Sequence, residues 1–293
     1  MKRFKRLIII LFTLIVLWML YSLISHQFRK PTDTFNHTLK VITYNTQAMM
    51  IGHKLADKKS MLQYISSQNA DIICLQEVLV YKNPERLTLA TLRDAMKQYP
   101  YTYYDFKHYN RKRQFGNVVF SRYPLINKNT IHYESQSNIS CQCDVAVKND
   151  TFRLIVNHLE SYRLEKQDLH LDTLSVDGIK NSTLVNKLKS AGKLRHKQAN
   201  EVRRSIRKSP YPVIVVGDFN AIPLSYVYWK IKLGLHDCFL ESSWGQLGNT
   251  YKKGPFGIRI DYILCSRNLT PIKCEVDRVK YSDHFPVCAT IGW

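Results

Sequence analysis

From Leu39 onward the sequence predicts one mixed α/β domain, and three observations carry that reading. Apolar runs of strand length recur along the whole stretch. Helical patterns, two amphipathic and one long and polar, fall between them. Several of the apolar runs end in a carboxylate, an amide or an imidazole. A chain of 293 residues has room for a sizeable core.

The N-terminus stands apart from this domain. Leu7 to Ile24 is an apolar run of 18 residues without a charge. As a helix it would rise about 27 Å, close to a bilayer core of roughly 30 Å. Lys2, Arg3, Lys5 and Arg6 precede it, which favours a cytoplasmic N-terminus. Residues 1–30 therefore read as a basic tip and a transmembrane anchor over 7–25. A single-pass membrane protein with residues 31–293 outside the cytoplasm is expected. A cleaved signal peptide is the alternative, with only Ser22 and Ser25 as small residues near its end. Residues 31–38 read as a polar linker, and 39–293 as the folded domain.

Leu39–Asn45 alternates as a strand and ends in a polar group. Residues 57–67 place Met61, Leu62 and Ile65 at helical spacing. Ala70–Glu77 is a compact strand ending in Gln76 and Glu77, and Glu85–Gln98 is a second helix stopped by Pro100. Strands follow at 101–106, 117–121, 126–134, 141–147 and 152–158, with a turn at Asn149-Asp150. Residues 163–208 are polar, helical and rich in Lys and Arg. Strands resume at 213–217, 261–266, 272–277 and 287–291.

The formal net charge is +20, and the six basic, acid-free residues of 1–30 leave +14 for the remainder. Such a domain attracts polyanions: nucleic acid, anionic head groups or phosphorylated small molecules. The seven cysteines show no CxxC spacing, which argues against a zinc site and for buried structural thiols.

The chemistry gathers at the strand ends: Asn45, Glu77, His158, Asp218 with Asn220, Asp261, and Asp283 with His284. One such residue is an ordinary turn or a solvated terminus; a whole set suggests convergence on one polar site. Glu77 and Asp283 are hard oxygen ligands and Asn45 offers an amide oxygen, a set suited to Mg²⁺ or Mn²⁺. Asp218 and Asn220 follow a strand through Gly217: a carboxylate can orient water while an amide donates to a phosphoryl oxygen. His158 and His284 can carry protons, and Asp261 can fix the tautomer of one.

The segments ITYN (42–45), CLQE (74–77), GNVVFSRYPL (116–125), VNHL (156–159), GDFNAIP (217–223), RIDYIL (259–264) and SDHFPV (282–287) occur in this order. The order resembles the endonuclease/exonuclease/phosphatase superfamily, of the deoxyribonuclease I-like and exonuclease III-like metal-dependent hydrolases. The resemblance implies a four-layer α/β/β/α sandwich of two mostly antiparallel sheets flanked by helices. It implies that Asn45 and Glu77 bind the metal, with Asp283 close by. It implies that Asp218 positions or deprotonates water, Asn220 holds a phosphoryl oxygen, and His158 acts near the leaving group or phosphate. It further implies that Asp261 pairs with His284, which contacts the phosphate or helps the nucleophile.

The expected activity is metal-dependent phosphoester hydrolysis by in-line attack of water, with a phosphodiester of nucleic acid as substrate. The basic helical segment, and Tyr103, Tyr104, Tyr109, Arg111, Lys112 and Arg113 before Gly116, suit a phosphate backbone. The alternative is a lipid or small-molecule phosphoesterase acting on phospholipid head groups beside the anchor. A third reading, an inactive polyanion-binding protein, conflicts with the complete residue set. GDFNAIP and RIDYIL depart from the inositol polyphosphate 5-phosphatase pattern, and Asn45 is followed by Thr46-Gln47 where the repair enzymes have a nearby glycine. The catalytic domain is expected to be monomeric.

Overall fold

Strand β1 (Thr38–Asn45) alternates side chains between two hydrophobic environments, as period-two geometry requires. Leu39 and Val41 point to one core, Ile42 and Tyr44 to another. In this computed structural model, described for residues 13, 35–49, 55–133, 135, 138–162, 183–243, 248–252 and 257–293, the runs Ile72 to Leu75, Val213 to Val216 and Tyr262 to Cys265 repeat the pattern. The predicted anchor lies outside the described residues. Among those described, no helix is long and apolar enough to cross a membrane.

The remaining elements are α1 (Leu55–Ser67), β2 (Ile72–Tyr81), α2 (Leu89–Ala95), β3 (Tyr101–Asn110), β4 (Arg113–Ser121), β5 (Leu125–Ile131), β6 (Ser140–Val147), β7 (Asp150–His158), α3 (Thr183–Arg207), β8 (Val213–Asp218), α4 (Tyr226–Lys232), β9 (Leu235–Asp237), α5 (Cys238–Ser242), β10 (Asp261–Ser266), β11 (Thr270–Val276) and β12 (Val287–Gly292). They form two six-stranded sheets, ordered β11-β12-β1-β2-β4-β3 and β5-β6-β7-β8-β10-β9.

One core lies between the sheets and includes Val41, Cys74, Val119, Val156, Val216 and Ile263. A second packs the first sheet on helices through Ile73, Leu75 and Phe120 against Met61, Leu62, Ile65 and Leu92. A third packs the other sheet through Val213, Val215 and Leu264 against Val202, Ile206, Val227 and Ile231. The layers are therefore α/β/β/α, and each fully buried Val, Leu or Ile contributes about 1.5–3 kcal/mol. The seven cysteines are free and all but Cys288 are buried, with Cys141 and Cys143 both in the inter-sheet core.

The sheets are mixed. Each contains one parallel pair, β1 with β2 and β7 with β8, and the other pairings are antiparallel. Helix α1 connects the first pair, and the second crosses over through the segment that contains α3. The parallel strands deliver their C-terminal ends to one edge of the sandwich. Chain entry lies at the other edge, where His37 pairs with Trp293.

Several boundaries differ from the sequence expectation. The turn falls at Lys148-Asn149, one residue early, because Lys148 takes the left-handed conformation (φ 54°) and Asp150 already pairs with Val147. The helix expected over 85–98 is confined to Leu89–Ala95. Asn83 first makes a turn with Arg86, and Thr88 then caps the helix by accepting from Thr91 N at 3.1 Å. Helix α4 was not anticipated, since Tyr-Val-Tyr-Trp has strand-like composition. Ser225 caps it through Tyr228 N at 3.2 Å.

Candidate active site

The two parallel pairs explain how distant residues meet. Asn45, His158 and Asp218 are the last residues of β1, β7 and β8. Asp261 instead opens β10, and Asp283-His284 precede β12. These strands run antiparallel to β8 and β1, so their beginnings reach the same edge; Asp261 lies directly opposite Asp218.

Glu77 arrives differently. It does not end β2, which continues to Tyr81. The pairing with β4 shifts between Leu75 and Val78, and Glu77 has φ 55°. This irregularity turns the carboxylate into the site from mid-strand. Beyond Asn45, Gln47 (φ 48°) and Ala48 (φ 52°) occupy left-handed positions that a glycine would adopt freely.

Gly217 is required where it stands. Its φ is +119°, and a Cβ there would lie 2.0 Å from Asn157 O on the neighbouring strand. Gly217→Ala is expected to destabilise the protein by about 2–5 kcal/mol, from backbone strain plus a clash with main chain. Urea unfolding tests this, and an unchanged midpoint would contradict it.

Asp218 is the centre of the polar network. Its Oδ1 accepts from Asn220 N at 2.7 Å. Its Oδ2 accepts from Asn45 Nδ2 at 3.0 Å and Asn220 Nδ2 at 3.1 Å, and lies 3.8 Å from His284 Nε2. Burial and the Asp261 charge push its carboxyl above the ordinary carboxylate range, against His284 and His158. His284 Nδ1 pairs with Asp261 Oδ2 at 2.9 Å. Burial disfavours the imidazolium, but Asp261, Asp218 and Asp283 outweigh that and push it up to about 10. These carboxylates therefore favour the charged form of His284.

Glu77 forms the other half. Its Oε1 lies 3.1 Å from His158 Nε2 and accepts from Asn45 Nδ2 at 3.1 Å. Burial pushes its carboxyl up, but the His158 hydrogen bond and charge, with Asn45, hold it at about 2. The same pairing raises His158 despite burial. Asn45 thus spans Glu77 and Asp218 across the two sheets. All eight residues singled out in the sequence lie at this edge.

A model of the endonuclease/exonuclease/phosphatase family matches residues 42–284, nearly the whole domain. The chain belongs to this family. It is accordingly a metal-dependent phosphoester hydrolase. Among solved structures, an endonuclease/exonuclease/phosphatase from Beutenbergia cavernae is 16% identical with a TM-score of 0.66, covering 88% of this chain and 72% of its own. A family protein from Leptotrichia buccalis has 16% identity and a TM-score of 0.63, covering 87% of this chain and 100% of its own. D. rerio TDP2 complexed with a single-strand DNA product has 16% identity and a TM-score of 0.59, covering 88% and 100%. At such identity these likenesses establish the fold. No curated protein matches the chain by sequence.

Two sets of donors in this family member could hold a cation. One is Asp218, Asp261 and His284, whose ligand atoms lie within 4.8 Å of one another. There His284 Nδ1 and Asp261 Oδ2 are paired with each other at 2.9 Å. The other is Glu77 with Asp283 and Asn45. Burial pushes the Asp283 carboxyl up, the His284 charge opposes this, and the Glu77 charge adds to it. The Glu77 side chain also keeps 26% exposure, enough for access. The carboxylates of this second set are hard oxygen donors of the kind a divalent metal takes, and Glu77 Oε1 is at present paired with His158 Nε2 and Asn45 Nδ2. Asn45 Oδ1 accepts from Gln47 N at 2.9 Å, so its nitrogen, rather than its oxygen, faces the carboxylates; rotation of the amide exchanges the two.

Other side chains contact these residues without a local signal in the sequence. The Asn138 amide is buried 3.1 Å from His158 Nε2. Ser282 Oγ donates to Asn45 O at 2.8 Å and accepts from His284 N at 3.1 Å, tying the sheet edge to the SDH segment. Thr250 Oγ1 accepts from Asp261 N at 3.0 Å, and the Tyr251 ring lies 4.7 Å from that of His284. Only Ser282 sits inside a recognisable motif. Tyr103 and Tyr104, singled out for nucleic acid, pack against the hydrophobic cores instead.

Proposed function

We propose that the protein is a phosphodiesterase of nucleic acid, held near a membrane by residues 7–25 with its catalytic domain outside the cytoplasm. The observation that carries the reaction is the Asp218 carboxylate, bound by two amides and flanked by two imidazoles at the junction of the sheets. In this reading Asp218 receives the proton of an attacking water. His284, charged and aligned by Asp261, donates to a phosphoryl oxygen. His158, fixed by Glu77, donates beside the leaving oxygen. Asn220 Nδ2 now donates to Leu159 O at 2.9 Å and to Asp218, and releasing Asp218 would free it for a phosphoryl oxygen. Glu77 and Asp283, with Asn45, would hold Mg²⁺ or Mn²⁺, which supplies charge neutralisation at the phosphate.

The basic domain charge and the DNA product bound to the D. rerio neighbour support nucleic acid over lipid. Chain entry at the edge opposite the site would leave a tethered enzyme open to solvent. The test offers plasmid DNA, single-stranded DNA, RNA, sphingomyelin and phosphoinositides with Mg²⁺ or Mn²⁺. Activity confined to lipid vesicles rejects the reading. Glu77→Gln is expected to raise the metal concentration for half-maximal rate at least about tenfold. An unchanged metal titration removes Glu77 from the metal site.

A further inference from the structure

Strand β2 does not stop at the reaction site. It runs four residues beyond Glu77 to Tyr81, about 13 Å, and pairs there with the beginning of β4, Tyr81 opposite Arg113. The connection after β2 and the β3–β4 hairpin tip meet at that point, Lys82 N donating to Lys112 O at 3.0 Å. Between them lies an open cleft of about 590 Å³ lined by Tyr81, Lys82, Asn83, Arg86, Lys112 and Arg113. Four of its six lining residues are cationic and none is acidic; Glu85 is the neighbouring carboxylate, exposed beside it. Arg86 stacks 5.0 Å from the centre of the Tyr81 ring. The β4 strand leads back to the site, since Phe115 meets His158 edge-on at 6.5 Å.

We propose that this cleft is a second phosphate subsite, which holds the backbone of a single-stranded polynucleotide several nucleotides from the bond that is cut. The inference rests on the phosphodiesterase reading above and adds the substrate's length and form to it. Clustered cations follow a phosphate backbone, and an aromatic face beside them gives a base a sequence-tolerant surface. The cleft begins about 13 Å beyond Glu77 along β2, farther than a small diester held at the reaction site extends. A polynucleotide spans both. The cleft therefore makes turnover depend on chain length.

The experiment compares wild type with Lys82→Ala/Arg86→Ala/Lys112→Ala, as full-length protein in detergent with Mn²⁺. Substrates are bis(p-nitrophenyl) phosphate, a single-stranded dinucleotide and a single-stranded octanucleotide. In wild type, kcat/KM is expected to rise at least tenfold from dinucleotide to octanucleotide, chiefly through KM. In the variant that gain is lost, and the salt dependence of octanucleotide KM becomes shallower. A variant that keeps the full length-dependent gain overturns the subsite while leaving the phosphodiesterase reading in place. Equal loss on all three substrates overturns it as well. A wild type without length dependence overturns it too. Absence of any metal-dependent diester hydrolysis in wild type defeats the parent reading instead.

Discussion

Asp218→Asn is expected to lower kcat/KM for a phosphodiester by about 10²–10⁴-fold, the range for losing a positioned acid or base. The same change should leave the melting temperature at or above that of the wild type. Burial and the Asp261 charge raise the Asp218 carboxyl, so folding works against its charged form relative to water. An amide is neutral at every pH and nearly isosteric. Against this, Oδ2 accepts two N–H groups that an NH₂ would oppose, and rotation of the new amide relieves only part of that. Loss of rate without loss of stability marks a group kept charged for chemistry. Metal-dependent hydrolysis of plasmid and of bis(p-nitrophenyl) phosphate, beside a thermal melt, reads both quantities. Turnover at the wild-type level would remove Asp218 from the reaction.

His284→Ala should lower activity by about 10²–10³-fold, as loss of one charged donor to a developing oxyanion does. It should also destabilise the protein by about 3–5 kcal/mol, because Asp261 is left as an unpaired buried charge. Among the described residues Asp261 Oδ1 has no hydrogen-bond partner, and Nδ1 of His284 pairs with Oδ2. The two losses separate in a double variant. Adding Asp261→Asn to His284→Ala neutralises the stranded charge and is expected to restore most of the melting temperature while activity stays low. Recovery of both together would mean that His284 acts on folding alone. Recovery of neither would mean that the buried pair is not the source of the instability.

The strands were legible because their residues alternate. Leu39, Val41, Ile42 and Tyr44 already sort between two faces, and Asp261–Ser266 was bounded without error. Thr88 and Ser225 carry cap chemistry, but the sequence pattern places Thr88 inside a helix over 85–98 and gives no helix after Ser225. A cap residue becomes informative only once the helix behind it is placed. The site residues were legible as a set of ordered motifs. Their supports were less so: Asn138, Thr250 and Tyr251 sit in segments with no periodicity, and what makes them relevant is a contact with His158, Asp261 or His284. The aromatic and basic stretch before Gly116 divided. Tyr103 and Tyr104 went to the cores, whereas Lys112 and Arg113 line the cleft beyond Glu77. Alternation along β3 and the hairpin that follows it separates them.

Glu77 shows where local reading stops. Its identity and its place after an apolar run were enough to propose a metal ligand. Its direction depends on a register shift against β4, which no property of residues 70–77 encodes. By itself the sequence determined the chemistry available to this protein: hard oxygen donors, two imidazoles, an excess of positive charge, and the strands that carry them. Tertiary structure alone decided that Asn45 and Asp218, 173 residues apart, touch at 3.0 Å, and that Asp261 and His284 reach them from antiparallel strands. Backbone sterics act over a few residues and write a period into the chain. Which strand ends share an edge follows from pairing and packing among distant segments, and only the folded sandwich brings those together.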